Sequence, residues 1–242
     1  MVDWLVYTEH AEVRFLHRPY TMKLEAMIFD MDGVLIDTLD AITDSFNEVL
    51  KRYGVELTPE QRKKGLGRSL RDQMEIWKKE YNFEIDIDHV AFSNEAFKVE
   101  LDILKKNLKE NKALINLLND AKKKGIKLGV ATSSNPKRAM ELLNLTDLKK
   151  YFEVIITAKD VSNHKPHPEI FLTAAKKLNV SPENCVVFED ALSGVKAAKG
   201  GNMKVIAILT NLNSAKDFEG LADLTINDFS EISISSLNNL FN

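Results

Sequence analysis

The chain has 242 residues and a formal net charge of −3 at pH 7; 44% of its residues are hydrophobic and 29% are charged. This length can bury one large α/β core, or a core with a smaller satellite domain. The slightly acidic balance argues against nucleic-acid binding, and no apolar run approaches the ~20 residues that cross a bilayer. The single cysteine, Cys185, excludes an internal disulfide, and its apolar neighbours predict a buried, inert thiol. We therefore expect a cytoplasmic protein without a nucleic-acid or membrane partner. We also expect a monomer, on the separate ground that a closing cap works well in one.

Residues 1–21 precede the predicted core and contain early acidic residues, but no continuous apolar segment and no small-residue cleavage site. That pattern argues against a signal peptide. Met22 stands immediately before the first predicted strand, so two interpretations remain open. Either residues 1–21 are an N-terminal extension packed on the surface, or translation begins near Met22.

Short apolar runs, typical of buried parallel strands, recur along the chain. They predict strands at residues 26–29, 126–131, 154–157, 185–188 and 205–209, with a weaker strand at 224–226. Helical patterns lie between most of these runs; one of them begins with Asn135 as N-cap and Pro136 in the first turn. From about residue 111 onward this alternation predicts a doubly wound, Rossmann-like parallel sheet of the α/β class.

The region at residues 39–110 interrupts this alternation, because it contains no convincing strand. The stretch "TPEQ", from Thr58 to Gln61, is a capping box, and "SLRDQMEIWKKEY" and "HVAFSNEAFKVELDILKK" have helical patterns. We therefore predict an all-helical cap domain at residues 39–110. It would be inserted into a catalytic core formed by residues 22–38 and 111–242.

Polar residues follow the predicted strands at the edge where an open parallel sheet binds its ligands, outside the carboxyl ends of the strands. Asp37, further along the first of these loops, is interpreted as a helix cap or as a hydrogen-bond acceptor behind the site. The residues delivered to this edge are Asp30, Asp32, Gly33, Thr132, Ser133, Ser134, Asn135, Lys165, Glu189 and Asp190.

This set of side chains suits phosphoryl transfer. A carboxylate can attack phosphorus if a divalent cation offsets the repulsion between the two anions, and Mg²⁺ prefers oxygen ligands that include one or two carboxylates. Asp30 and Asp190 are the candidate ligands, with Glu189 as a further one. Asp32 is a candidate general acid and base, and Lys165 supplies a fixed positive charge to the transferring group.

The remaining polar groups are candidate contacts to the substrate. Thr132 can donate a hydrogen bond to phosphate oxygens, and Gly33 permits a tight turn that brings backbone amides towards the phosphate. Ser133, Ser134 and Asn135 are further candidate substrate-binding residues. Ser134 and Asn135 are also suited to cap the helix that follows. The predicted ligand is a small phosphorylated metabolite.

Four segments resemble the motifs of the haloacid dehalogenase superfamily of phosphotransferases. They are "DMDGVLIDT", "GVATSSN", "HKPHPEIF" and "VVFEDALSGVKAAKGGNMKVI", in the order of the family and over about residues 24–210. The "GVLIDT" extension, the "KPHPEIF" form and the helical insertion resemble the subgroup of sugar-phosphate phosphatases and β-phosphoglucomutases.

The resemblance implies roles for individual residues. Asp30 would be the nucleophile and Asp32 the acid and base, with Mg²⁺ held by Asp30, the backbone carbonyl of Asp32 and Asp190. Glu189 would contribute to the metal site directly or through water. The helical cap would close over the site and select the substrate, and "KGLGRSLRD" makes Arg68 the candidate phosphate-binding residue of the cap.

Two positions depart from the family pattern. Ala191 replaces the usual serine after the acidic pair, and Ile42 stands where mutase relatives have a histidine. The missing histidine favours simple hydrolysis. The leading hypothesis is therefore a Mg²⁺-dependent phosphatase; the alternatives are a phosphosugar mutase of the β-phosphoglucomutase type and a non-catalytic sensor of a phosphorylated ligand.

Overall fold

The computed structural model describes residues 23–54, 56–58, 60–61, 70–81 and 88–241. Residues 1–21, the predicted N-terminal extension, and Arg68, the predicted phosphate-binding residue of the cap, lie outside the described residues. In the part of the chain that is described, no helix combines the length and the apolar character that crossing a bilayer requires.

The strands of the described chain form one parallel sheet in the order β3-β2-β1-β4-β5-β6. They are β1 (Ala26–Phe29), β2 (Lys127–Ala131), β3 (Val154–Ile156), β4 (Cys185–Glu189), β5 (Lys204–Ile208) and β6 (Leu224–Ile226). All the predicted strands are confirmed, with ends displaced by no more than a single residue. The chain order reverses at the central strand β1, which is where a doubly wound sheet opens its ligand crevice.

Helices connect these strands and also form the region between β1 and β2. The α-helices of the described residues are α1 (Leu39–Leu50), α2 (Leu70–Tyr81), α3 (His89–Asn107), α4 (Lys112–Lys123), α5 (Pro136–Leu145), α6 (Glu169–Leu178), α7 (Leu192–Gly200) and α8 (Ile234–Asn238). Short 3-10 turns lie at Lys51–Tyr53, Lys149–Tyr151, Ala158–Asp160, Pro182–Asn184, Ala215–Phe218, Phe229–Glu231 and Asn239–Phe241.

The sheet buries both of its faces, as the alternation of side chains along β1 shows. Met27 and Phe29 belong to the apolar cluster under α4, α5 and α8, whereas Ala26 and Ile28 belong to the cluster under α6 and α7. Phe29 stacks on Phe188 of the neighbouring strand, with ring centroids 4.5 Å apart. Helices on both faces of a parallel sheet are the predicted doubly wound α/β fold, which is thereby confirmed.

Cys185 begins β4 and is fully buried, as its apolar neighbours predict. Burial, with a smaller contribution from nearby carboxylates, raises the pKa of its thiol to about 12. The thiol is therefore protonated near neutral pH and is a poor nucleophile.

Helices α1, α2 and α3 share a small apolar core, separate from the two clusters that flank the sheet. It includes Val49, Met74, Trp77 and Phe92, and the ring of Phe46 packs edge-on against both aromatic residues. The predicted capping box is also present, since Thr58 and Gln61 each bond the other's backbone N–H. A separate core is what an inserted cap requires; its limits at residues 39 and 110 stay a prediction.

Candidate active site

A cavity of about 980 Å³ opens at the carboxyl edge of the sheet, between the strand ends and helices α1, α2 and α3. Backbone hydrogen bonds extend the sheet just past its strands: Asp30 N–H donates to Phe188 O, and Thr132 N–H donates to Ile156 O, both at 2.9 Å. These bonds place both side chains at the edge of the sheet. The predicted residues that line the cavity are Asp30, Asp32, Thr132, Ser133, Ser134, Asn135 and Asp190.

Lys165 lies beneath this edge and is almost completely buried. Its Nζ donates to Asp30 Oδ1 at 2.5 Å, to Glu189 Oε1 at 2.6 Å and to the Ala131 carbonyl at 3.3 Å. Burial alone would lower the pKa of this ammonium group, but the two carboxylates outweigh burial and raise the pKa. Lys165 is therefore a permanent positive charge against the predicted nucleophile.

Glu189 ends β4 and is bonded on both of its carboxylate oxygens. Its Oε1 accepts from Lys165, and its Oε2 accepts from the Ala191 N–H at 2.7 Å, so both oxygens are engaged within the protein. Its side chain is fully buried and does not line the cavity. Glu189 therefore orients Lys165 in this structure. Its contribution to a metal site, directly or through water, stays a prediction.

Negative charge exceeds positive charge around Asp30 and Asp190. Burial raises the pKa of Asp30 to about 7; Lys165 opposes this shift, and Glu189 and Asp32 add to it. Burial, followed by the charges of Glu189 and Asp30, also raises the pKa of Asp190 well above its usual range. Asp190 Oδ2 is buried without a hydrogen-bond partner.

These residues fit a divalent cation that prefers oxygen. An orphaned carboxylate oxygen beside a second carboxylate with a raised pKa is the electrostatic signature of a site that a cation would stabilise. Among the described residues, no three His, Cys, Asp or Glu side chains are grouped to hold a metal by themselves. Mg²⁺ does not need such a group, because it commonly binds one or two carboxylates and completes its shell with water and phosphate oxygens.

Gly33 is required at its position by two features. Its φ is +77°, and a Cβ atom there would lie 2.4 Å from Asp190 Oδ2. Its own N–H donates to Ile36 O at 2.9 Å, within the turn. Gly33 gives Asp190 its room beside Asp30. That the turn brings backbone amides towards a phosphate stays a prediction.

Asp32 is held on both carboxylate oxygens. Oδ1 accepts from Thr38 Oγ1 at 2.6 Å and from Arg138 at 2.7 Å; Oδ2 accepts from Ser134 Oγ at 3.0 Å and from Arg138 at 2.8 Å. Burial alone would raise the pKa of Asp32, but Arg138 and the two hydroxyl groups outweigh burial and lower it. Thr38, not the exposed Asp37, occupies the N-cap position of α1.

Arg138 is the functional candidate that the sequence reasoning missed. It lies in the first turn of α5 and also contacts Glu100 of α3, with Nε to Oε2 at 2.8 Å. A signal was present in the sequence, because Glu100 stands among the buried residues Phe97, Leu101 and Leu104 of its helix. A charged residue in an apolar stripe indicates a buried partner, although it does not identify that partner.

The polar residues after β2 have separate roles. Asn135 accepts from the Arg138 N–H at 3.0 Å and so caps α5, and Ser134 Oγ donates to Asp32. The predicted capping role of Asn135 is confirmed. Both residues line the cavity, and substrate binding by them stays a prediction. Thr132 and Ser133 line the cavity, with Thr132 Oγ1 accepting from the Ser134 N–H at 3.1 Å.

The helical wall of the cavity contains polar and apolar residues. Ile42, at the position of the mutase histidine, is part of this wall. The other residues that α1, α2 and α3 contribute are Leu39, Phe46, Arg71, Asp72, Gln73, His89, Val90, Ser93, Asn94, Phe97 and Glu100.

Comparison with known proteins supports the motif assignment. A profile of the haloacid dehalogenase-like hydrolases matches residues 27–208. The "Phosphorylated carbohydrates phosphatase" of Thermotoga maritima is 36% identical over 80% of this chain and 89% of its own length. The "Fructose-1-phosphate phosphatase YqaB" of Escherichia coli is 31% identical over 75% of this chain and 95% of its own.

A solved β-phosphoglucomutase from Clostridium difficile has the same fold. It is 26% identical, with a TM-score of 0.78 over 90% of this chain and 97% of the mutase chain. The matched profile spans both the Asp30 segment and the Asp190 segment, which lie on adjacent strands of the sheet. This protein belongs to the haloacid dehalogenase-like hydrolases and is an enzyme of that family.

Proposed function

We propose that this protein is a Mg²⁺-dependent phosphatase that hydrolyses a small phosphorylated metabolite through a phospho-aspartate on Asp30. The proposed substrate is a sugar phosphate. One observation carries the proposal. Asp30 faces a large cavity and is paired with the buried Lys165, beside Asp190 with its unpartnered oxygen. The relatives whose names refer to phosphorylated carbohydrates and fructose 1-phosphate support the substrate class.

In the first step, a carboxylate oxygen of Asp30 attacks phosphorus and the bond from phosphorus to the leaving oxygen breaks. Lys165 keeps positive charge beside Asp30 and the transferring group. Asp32 is an ionised carboxylate in the arrangement described above, so it must take up a proton before this step. It then gives that proton to the leaving oxygen, so that the product departs as an alcohol and Asp32 is left as a carboxylate.

In the second step, water attacks the phosphorus of the phospho-aspartate. Asp32 takes a proton from that water, the acyl phosphate bond breaks, and Asp30 is regenerated with release of inorganic phosphate. Asp32 is protonated again at the end of the step. The two half-reactions therefore return the enzyme to its starting state.

Asp30, Asp190 and the backbone carbonyl of Asp32 would hold Mg²⁺. When bound, the ion offsets the repulsion between carboxylate and phosphate and the charge that develops on the phosphoryl oxygens. Glu189 is left out of this set, because its two oxygens are bonded to Lys165 and to the Ala191 N–H.

A phosphosugar mutase of the β-phosphoglucomutase type is the second candidate, favoured by the similarity to the C. difficile mutase. A mutase must protect its phospho-aspartate from water and transfer the phosphoryl group to a sugar. Ile42 cannot donate or accept a proton at the position where mutase relatives have histidine, and it lines the cavity. Ile42 therefore favours hydrolysis.

The test is phosphate release with Mg²⁺ from a panel of sugar, nucleotide and small-acid phosphates. Glucose 1-phosphate is followed in parallel for conversion to glucose 6-phosphate, with and without glucose 1,6-bisphosphate. We expect phosphate release that EDTA abolishes. Isomerisation with little release would replace the phosphatase by the mutase. Binding of phosphate without turnover on any substrate would identify a sensor.

A further inference from the structure

The predicted acid and base, Asp32, has no free hydrogen-bonding position in this structure. Each of its oxygens accepts two hydrogen bonds, one from a hydroxyl group and one from Arg138. A carboxylate oxygen offers about two lone pairs, so this set saturates the group. Asp32 must exchange at least one of these partners before it can give a proton to a leaving oxygen.

Arg138 is the partner shared by both oxygens of Asp32, and all of its donors are engaged. Nη1 donates to Asp32 Oδ2 and to Ser134 Oγ, Nη2 donates to Asp32 Oδ1 and to Glu100 Oε1, and Nε donates to Glu100 Oε2. These are the five N–H groups of a guanidinium. One side chain therefore bridges two carboxylates in a fixed, planar geometry.

The bridge joins two parts of the fold. Asp32 follows β1 and Arg138 begins α5, both at the edge of the sheet, whereas Glu100 lies on α3 in the helical wall of the cavity. Glu100 has 2% of its surface exposed and Arg138 has 9%. A buried charge that loses its partner is strongly destabilising, so Arg138 retains at least one of the two carboxylates when either one moves.

We infer that Arg138 is a positioning residue that links Asp32 to helix α3, with Glu100 holding the guanidinium when Asp32 turns to the leaving oxygen. The inference rests on the proposed phosphatase function. Without the charge of Glu100, Asp32 would be the remaining carboxylate of the bridge. The attraction of Arg138 would then keep Asp32 in the saturated arrangement. Removing the charge of Glu100 should therefore slow the hydrolysis of substrates whose leaving group needs a proton. It should not slow the attack by Asp30.

The test compares leaving groups. Glu100→Gln keeps the shape of the side chain and removes its charge. The variant is assayed on two substrates. One is p-nitrophenyl phosphate, whose leaving group needs little proton transfer, and the other is the sugar phosphate that the wild-type protein hydrolyses fastest. General acid catalysis contributes about 100-fold to 10,000-fold. We expect kcat for the sugar phosphate to fall at least about 10-fold with little change in KM, and the first-turnover burst of p-nitrophenol to change less than about twofold.

Three further variants separate this role from a structural one. Glu95 lies on the same helix as Glu100 and forms an exposed ion pair with Arg52. Glu95→Gln removes that ion pair and should leave the hydrolysis of both substrates unchanged. Arg138→Lys keeps the charge without the planar fork and should show the same split between substrates. The double variant Asp32→Asn/Glu100→Gln should be no slower on the sugar phosphate than Asp32→Asn alone, because both changes act on one group.

Two outcomes would overturn the inference without touching the proposed function. One is equal slowing of both substrates by Glu100→Gln and Arg138→Lys; the other is a double variant slower than Asp32→Asn by the full factor seen for Glu100→Gln. If Glu100→Gln does not fold, the substrate split of Arg138→Lys decides. A wild-type protein that releases no phosphate from any substrate would instead overturn the proposed function, and the inference with it.

Discussion

Gly194, in α7, lies directly against Glu189 at the end of β4. A Cβ atom at position 194 would lie 1.7 Å from Glu189 Oε1, the same oxygen that accepts from Lys165 at 2.6 Å. No side chain other than hydrogen fits there without displacing the carboxylate. The glycine therefore leaves room for Glu189 in the position from which it bonds to Lys165.

Gly194→Ala should disturb this chain of contacts. We expect a loss of about 1–3 kcal/mol in the free energy of unfolding, typical of overpacking in a core, together with a clear fall in kcat. Urea unfolding and steady-state kinetics measure the two effects. Gly200→Ala is the matched control in the same helix, because the nearest atoms to its added Cβ lie 3.8 Å away. Equal behaviour of the two variants would contradict the proposed role of Gly194.

Asp30→Asn should abolish turnover while preserving the fold. The amide keeps the size of the side chain but is a poor nucleophile, so we expect kcat to fall on the order of a thousand-fold or more. Loss of the phosphoenzyme in rapid-quench experiments provides the direct measurement. Asp37→Asn, an exposed change on the same segment, serves as control. Near-native activity of Asp30→Asn would show that another group attacks the phosphorus.

Lys165→Met should reduce both stability and catalysis. It leaves the buried Asp30 and Glu189 carboxylates without their shared cation, and breaking a buried pair costs about 3–5 kcal/mol. Loss of a fixed charge at the transferring group should also lower kcat about 100-fold or more. Lys176→Met, at an exposed lysine of α6, should change neither quantity. A stable, active Lys165→Met protein would contradict the proposed role of Lys165.

Stability should depend on Mg²⁺ and pH together. Asp30 has a pKa of about 7 in the folded protein against the ordinary 3.8, so the folded state binds more protons between these values. The free energy of unfolding of the metal-free protein should therefore fall as pH rises from about 4 to about 7, and Asp190 acts in the same direction.

Bound Mg²⁺ should reverse this loss. We expect Mg²⁺ to raise Tm at pH 8 by more than it does at pH 5, where protonated carboxyl groups bind metal poorly. Differential scanning calorimetry with Mg²⁺ or EDTA measures the shift, and Asp190→Asn should diminish it. A Tm that Mg²⁺ leaves unchanged at both pH values would remove Asp30 and Asp190 as metal ligands.

The sequence by itself determined the strands and their parallel, doubly wound arrangement. Buried parallel strands are continuous apolar runs bounded by turns, and such a pattern is local in the sequence. The ends of each predicted strand therefore lie within one residue of the ends in the structure. The caps of α5 and the box formed by Thr58 and Gln61 were also predicted, because both depend on neighbours three residues apart. Since parallel strands expose their carboxyl ends at one edge, the grouping of Asp30, Thr132 and Asp190 followed from the strand assignments alone.

Only the tertiary structure decided which of these groups bond to one another. The sequence does not show that Glu189 bonds to Lys165, or that Asp32 is held by Arg138, 106 positions away. Such pairings depend on how helices pack across the sheet and on which buried charges compete for one cation. The energy of a buried ion depends on its distance to partners anywhere in the chain, and no local sequence pattern encodes that distance.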